Sequence, residues 1–234
     1  MYAVIAAVAV AIAVTGYLFS QSFFRILPLF VSLFVLYLQT KVSRLAPLLG
    51  GCNSILYGIV FFSLGMYTSA VTAVAVNSVL QFLTFLNWNR KKDGASVKLG
   101  SMTKKQNILL ILGSVLLFAL LVGGFAFARN REWLAPAENA GLDVIDRAIT
   151  VVSNVTTVLT LLAYREYSYW GIPNGILSIV SGVFMTVADP AQITYLIYYV
   201  YSFFCILLTF RRVRILYRAQ QEAGASPSEA KAAQ

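Results

Sequence analysis

Histidine is absent from this chain, cysteine occurs twice, and only nine carboxylates stand against 18 basic residues in 234. Without histidine, the commonest general acid–base group and a frequent metal ligand are missing. The closest thing to a carboxylate cluster is Asp143-x-x-Asp146, which lacks the further ligands a two-metal site requires. There is no Gly-rich phosphate loop, so nucleotide hydrolysis on this chain is not expected. No catalytic, metal or cofactor site is expected. Cys52 and Cys205 both fall inside apolar runs and are expected as small packing residues rather than as a disulfide or metal pair.

What is abundant is apolar sequence. Hydrophobic residues make up 59% of the chain and charged residues 12%, proportions foreign to a soluble domain. A bilayer core of ~30 Å takes about 20 mostly apolar residues per crossing helix. Eight runs qualify, near 2–19, 23–40, 46–65, 68–88, 107–127, 143–163, 168–187 and 191–210. The first has neither the basic start nor the small-residue cleavage site of a signal peptide, and is expected to remain as a helix. Residues 219–234, rich in Ala, Gln, Glu and Ser, are expected to be a disordered tail.

The basic residues orient the spans. With eight crossings, one side holds Lys41, Arg44, Arg90, Lys91, Lys92, Lys98, Lys104, Lys105, Arg165, Arg211, Arg212, Arg214, Arg218 and Lys231, which is 14 of the 18. The other side holds Arg25, Arg129, Arg131 and Arg147. Because Lys and Arg favour the cytoplasmic side, both termini are expected there. A seven-span alternative would put the basic segments 90–105 and 211–218 on opposite faces. The net charge of +9 is explained by these flanking residues and their contact with anionic lipid. No extramembrane segment is large enough to form a nucleic-acid-binding face.

A shift of 121 residues superimposes the two halves. Val31-Ser32 falls on Val152-Ser153, Leu38 on Leu159, Phe82 on Phe203 and Arg90 on Arg211. Gly50-Gly51-Cys52-Asn53-Ser54-Ile55-Leu56 falls on Gly171-Ile172-Pro173-Asn174-Gly175-Ile176-Leu177. The expected fold class is therefore an all-α polytopic membrane protein with two parallel three-helix repeats. A linker helix joins them (3+1+3), and an extra helix precedes them. The expected divisions are the extra helix at 1–20, a first unit at 22–90, a basic loop and linker helix at 91–128, a second unit at 142–212, and a tail at 213–234. Parallel repeats of this kind enclose a substrate path near the midplane.

Several motifs carry a family resemblance. They are Asn53-Ser54-Ile55-Leu56-Tyr57 leading into Phe61-Phe62 and Gly65-Met66-Tyr67, then Trp88-Asn89-Arg90, Leu142-Asp143, Ile149-Thr150-Val151-Val152-Ser153, and Tyr169-Trp170-Gly171-Ile172-Pro173-Asn174. Over residues 23–214 the chain resembles the PnuC family of bacterial vitamin transporters, relatives of the SWEET sugar carriers. It departs from that pattern where other members carry a second Trp, at Pro173 and Thr209. The resemblance implies uptake of nicotinamide riboside, or of thiamine or riboflavin, across the bacterial inner membrane. It also implies a homo-oligomer, as a trimer. A SWEET-like sugar carrier is the competing reading; a membrane transferase or a non-transporting adaptor is disfavoured.

Polar side chains within a membrane helix are costly unless they face protein, water or ligand. Asn77, Gln81, Thr84 and Trp88 follow one another at intervals of four, three and four and so share one helical face. The repeat sets Tyr198, Ser202, Cys205 and Thr209 at the matching positions. Two such stripes would line a shared cavity, although the same groups could equally bond helix to helix. Asn154, Thr157 and Asn174 are further substrate-binding candidates, and Asn53 and Asn174 could instead tie bent helices to their neighbours. Pro28 and Pro173 are expected to kink or start helices. Tyr198 is expected to offer its ring to an aromatic vitamin, with cation–π attraction of about 0.5–2 kcal/mol for a cationic one. Trp133 and Tyr217 are expected as interfacial anchors. With no titratable group placed mid-membrane, facilitated diffusion is expected, and Asp146 is the residue through which ion coupling could act. Asp146 could equally pair with Arg147 or cap its helix.

Overall fold

The computed structural model describes residues 1–63, 70–93, 96–131 and 140–224. Its described residues form helices α1 (Tyr2–Leu18), α2 (Phe23–Thr40) and α3 (Leu45–Ser63), then a π-helical stretch (Thr72–Ser78) that runs directly into α4 (Val79–Arg90). There follow α5 (Lys104–Asn130), α6 (Ala140–Leu161), α7 (Tyr167–Ala188), a 3-10 turn (Pro190–Gln192) and α8 (Ile193–Gly224). Five of these segments are long and apolar enough by themselves to cross a membrane, including Phe23–Thr40 and Lys104–Ala128. The chain is an all-α polytopic membrane protein. Gly65, Met66, Tyr67 and Trp133 lie outside the described residues, as does the chain beyond residue 224.

Two features depart from the expectations. The supposed tail is helical as far as Gly224, because its Arg, Ala, Gln and Glu residues are strong helix formers and Gln220 is tied down. That side chain accepts from the Leu99 N–H at 3.0 Å and donates to the Val97 carbonyl at 3.0 Å. The supposed basic loop is also ordered there: Lys92–Asp93 pairs antiparallel with Ser96–Val97, and Val97 and Leu99 are buried.

In lipid, packing one apolar helix on another gains little transfer energy, so close approach and hydrogen bonds hold the bundle together. Here α2 packs on α3, α3 on α4, α6 on α7, and α7 on α8. The two groups meet through α2 with α8 and through α4 with α6; α1 rests on α2 and α8, and α5 on α6. Glycines create the close approaches. A methyl group at Gly51 would lie 2.8 Å from the Phe82 ring, and one at Gly175 would lie 2.6 Å from Phe203.

The turns after α2 and α6 share one geometry. Val42 and Ala163 both have positive φ, 51° and 59°, and both are fully buried. The Val42 N–H bonds the Gln39 carbonyl and the Ser43 N–H bonds the Leu38 carbonyl; Ala163 with Thr160, and Tyr164 with Leu159, repeat the pattern. A β-branched residue is strained at positive φ, and complete burial of Val42 is what holds it there. These paired positions are all 121 residues apart.

Asn53 acts between helices, donating to the Ser32 hydroxyl at 2.7 Å and so tying α3 to α2. Pro28 and Pro173 lie inside α2 and α7. Cys205 packs in a core cluster with Ile12, Leu29, Leu33 and Tyr201. Cys52, expected as a packing residue, is instead exposed on α3. Both cysteines are free.

Candidate substrate cavity

A cavity of about 190 Å³ lies among the six helices α2, α3, α4, α6, α7 and α8. Gln39 enters from α2, Pro47 from α3, Gln81, Thr84 and Trp88 from α4, and Thr156, Thr157 and Thr160 from α6. From α7 come Tyr167, Ser168 and Asn174, and from α8 Ser202, Ile206 and Thr209. The structure thus brings together six of the sequence candidates: Gln81, Thr84, Trp88, Thr157, Asn174 and Ser202. The facing stripes on α4 and α8 line one cavity, with Ile206 rather than Cys205 on the α8 side.

Three candidates stand elsewhere. Asn77 is exposed and does not line the cavity. The spacing rule that joined it to Gln81 assumes an i→i+4 hydrogen-bond ladder, and Asn77 sits in the π-helical stretch, where i→i+5 bonding replaces it. Asn154 is also exposed. The inward face of α6 is set by Val151, Val155 and Leu159, leaving Asn154 with Thr150 and Val158 on the outer stripe. Tyr198 packs instead against the Ile12–Leu29–Tyr201 cluster, with its ring 5.8 Å from Tyr199. The aromatic wall of the cavity is made by Trp88 and Tyr167, whose rings are 6.3 Å apart. Tyr167, Thr156, Thr160 and Gln39 were missed in the sequence, although Thr156 and Thr160 share a face one helical turn apart.

Trp88 and Tyr167 also belong to a buried cluster with Val42, Val97, Leu99, Leu159, Ala163 and Val213. Side chains at the end of α4 and just beyond it donate to carbonyls at the end of α6 and just beyond it: Trp88 Nε1 to Thr160 at 2.6 Å, Asn87 Nδ2 to Leu161 at 2.5 Å, and Lys91 Nζ to Leu162 at 2.9 Å. The buried Glu166 accepts from the Ser101 hydroxyl at 2.9 Å and pairs with Arg165 at 3.2 Å. Outside the cavity lining, the Ser32 and Tyr57 hydroxyls lie 3.5 Å apart and Tyr201 donates to the Leu33 carbonyl at 3.2 Å. Asp146 is exposed, while Arg147 is buried with its guanidinium 4.1 Å from the Phe125 ring centre.

The hydrogen-bonding character of the wall follows from its hydroxyls. Thr84, Thr156, Thr157, Thr160 and Thr209 each donate to the carbonyl four residues back, at 2.7–2.9 Å. Ser168 donates likewise to Arg165 at 2.9 Å. Their hydrogens are spent, and what remains for a ligand is lone pairs. Asn174 adds a buried Oδ1 with no partner. Among the described residues, no Lys, Arg, Asp or Glu lines the cavity. The described wall can accept hydrogen bonds from a neutral or cationic guest, and its residues carry no cation to neutralise an anion.

Among curated proteins none is significantly similar in sequence. A crystal structure described as that of the vitamin B3 transporter PnuC shares the fold, with a TM-score of 0.62 at 20% identity over 89% of this chain and 90% of that one. The family model for nicotinamide mononucleotide transporters matches residues 22–212, so it takes in all six cavity-lining helices. A membrane carrier rather than an enzyme is the outcome: the chain belongs to the nicotinamide mononucleotide transporter family.

Proposed function

We propose that the protein carries nicotinamide riboside by facilitated diffusion, with access alternating between the two ends of the cavity. The observation that carries this reading is the uncharged wall whose threonine hydrogens are already committed to the backbone. A riboside presents hydroxyl and carboxamide donors to such acceptors, and its pyridinium suits the Trp88 and Tyr167 rings. A phosphorylated nucleotide would bring a buried negative charge with no cation to meet it, which is strongly unfavourable. Gln81, Thr84, Trp88, Thr157, Asn174 and Ser202 are the proposed ligand contacts.

The alternating units are taken to be α2–α4 and α6–α8, related by an axis along the membrane normal, with α5 as linker and α1 outside the scheme. Three observations support this: the reciprocal contacts of α2 with α8 and α4 with α6, the matched turns at Val42 and Ala163, and the Phe82 and Phe203 rings each seated on a glycine. Cytoplasmic termini rest on the bias of the basic residues, and a bacterial inner-membrane setting on the resemblance to the PnuC family. The largely exposed α5 leaves surface for lipid or for further copies of the chain in a homo-oligomer.

The test is a binding titration of the purified protein against nicotinamide riboside, nicotinamide mononucleotide, thiamine, riboflavin and glucose. Saturable binding of the riboside alone, weakened in Gln81→Ala, is expected. Tighter binding of the mononucleotide than of the riboside would overturn the reading.

A further inference from the structure

Away from the substrate cavity, a cleft of about 380 Å³ opens where the C-terminal end of α2 meets the middle of α8. Thr40 and Lys41 line it from α2, Leu208, Arg211, Arg212 and Ile215 from α8, and Met1 from the start of α1. Lys41, Arg211 and Arg212 bring three cationic side chains to one cleft, and among the described residues no carboxylate lines it. Lys41 lies 5.8 Å from the Tyr37 ring centre, and Tyr37 donates to the Tyr2 hydroxyl at 3.0 Å, so α1 is pinned against this end of α2.

Like charges gathered without a counter-charge repel one another and lower their energy by binding an anion. The spacing on α8 says which anion. Leu208, Arg211, Arg212 and Ile215 stand at i, i+3, i+4 and i+7, on a single helical face, so apolar side chains flank the cationic pair one turn to either side. The cleft lies where the apolar span of α8 gives way to the charged stretch Arg211-Arg212-Val213-Arg214, the depth at which lipid headgroups sit. We infer that this cleft is a binding site for the headgroup of an anionic phospholipid, with Lys41, Arg211 and Arg212 on its phosphate and Leu208 against an acyl chain. Such a site would clamp α2, the opening helix of one unit, to α8, the closing helix of the other, and so would tie their packing to membrane composition.

The test uses the full chain in nanodiscs of phosphatidylcholine alone, or of phosphatidylcholine with phosphatidylglycerol, read by thermal unfolding. Wild type is expected to unfold at a higher temperature with phosphatidylglycerol. Lys41→Gln/Arg211→Gln/Arg212→Gln is expected to lose that difference while still unfolding cooperatively in phosphatidylcholine. Lys104→Gln/Lys105→Gln, which removes charge from the exposed start of α5, is expected to keep it. An equal gain in the triple variant, or an equal loss in the Lys104/Lys105 variant, would overturn the site. A gain reproduced by inorganic phosphate in phosphatidylcholine discs would reassign it to a soluble anion and overturn the lipid. If the triple variant fails to fold, native mass spectrometry of wild type and Arg212→Gln replaces it. Retention of phosphatidylglycerol over phosphatidylcholine by wild type, reduced several-fold in the variant, is expected there, and equal retention would overturn the proposal.

Discussion

The indole nitrogen of Trp88 donates to the Thr160 carbonyl at 2.6 Å, joining the last turn of α4 to the last turn of α6 at one end of the cavity. A single residue thus supplies both part of the aromatic wall and a bond between two helices. Trp88→Phe keeps a ring but removes one of the two donors to the Thr160 carbonyl, which still accepts from the Ala163 N–H at 3.0 Å, at a cost of ~0.5–1.5 kcal/mol for one net hydrogen bond. A lower unfolding midpoint in detergent is expected, and an unchanged one would show that the bond contributes nothing.

Cavity residues and exposed polar residues should separate in transport. Gln81→Ala removes a side chain from the wall, and loss of about one hydrogen bond to substrate corresponds to roughly tenfold weaker binding. Asn77→Ala and Asn154→Ala, both exposed, are expected to leave binding of the riboside within about twofold of wild type, a change of only a few tenths of a kcal/mol. A tenfold loss in either asparagine variant would move the site.

The close approach of α7 to α8 predicts a packing penalty. An added methyl at Gly175 would lie 2.6 Å from the Phe203 ring and 3.1 Å from the Ile206 side chain, so Gly175→Ala forces those two side chains to yield, at ~1–3 kcal/mol. Gly113→Ala on α5, where nothing lies within 4 Å, is the control and should not lower the unfolding temperature. Paired thermal melts decide between them.

Asp189 caps the short turn between α7 and α8. Its carboxylate accepts from Gln192 at 2.8 Å and from the Ala191 N–H at 3.0 Å. Those bonds, with a lesser contribution from Arg25, hold its pKa below the ordinary 3.8. A depressed pKa means that the folded state binds a proton less readily than the unfolded one. The stabilisation is therefore fully present above 3.8 and is lost as pH falls through the lowered value. Wild type and Asp189→Asn melts should differ at neutral pH and converge in acid; a constant difference would show that the charge is irrelevant.

The matches at a shift of 121 residues fall at turns and close contacts: the Leu38 and Leu159 carbonyls accept in equivalent turns, and the Phe82 and Phe203 rings each lie against a glycine. The cavity was legible on α4 and α8, where regular α-helical spacing converts position into direction. It was not legible at Asn77, where the π-helical stretch suspends that spacing, nor at Tyr167 and Gln39, which reach the cavity only because α7 and α2 happen to turn those faces inward.

Composition alone decided the solvent: with 59% hydrophobic residues, the chain must satisfy its backbone bonds internally, and helices follow. The sequence likewise decided how many apolar segments there are and, through its lysines and arginines, how they are expected to orient. Tertiary structure decided which polar groups meet, because in lipid neighbouring helices differ little in apolarity and the choice of partner rests on shape. Gly175 under Phe203 and Trp88 on Thr160 are such choices, fixed by contacts between residues 28 and 72 positions apart, which no local pattern encodes.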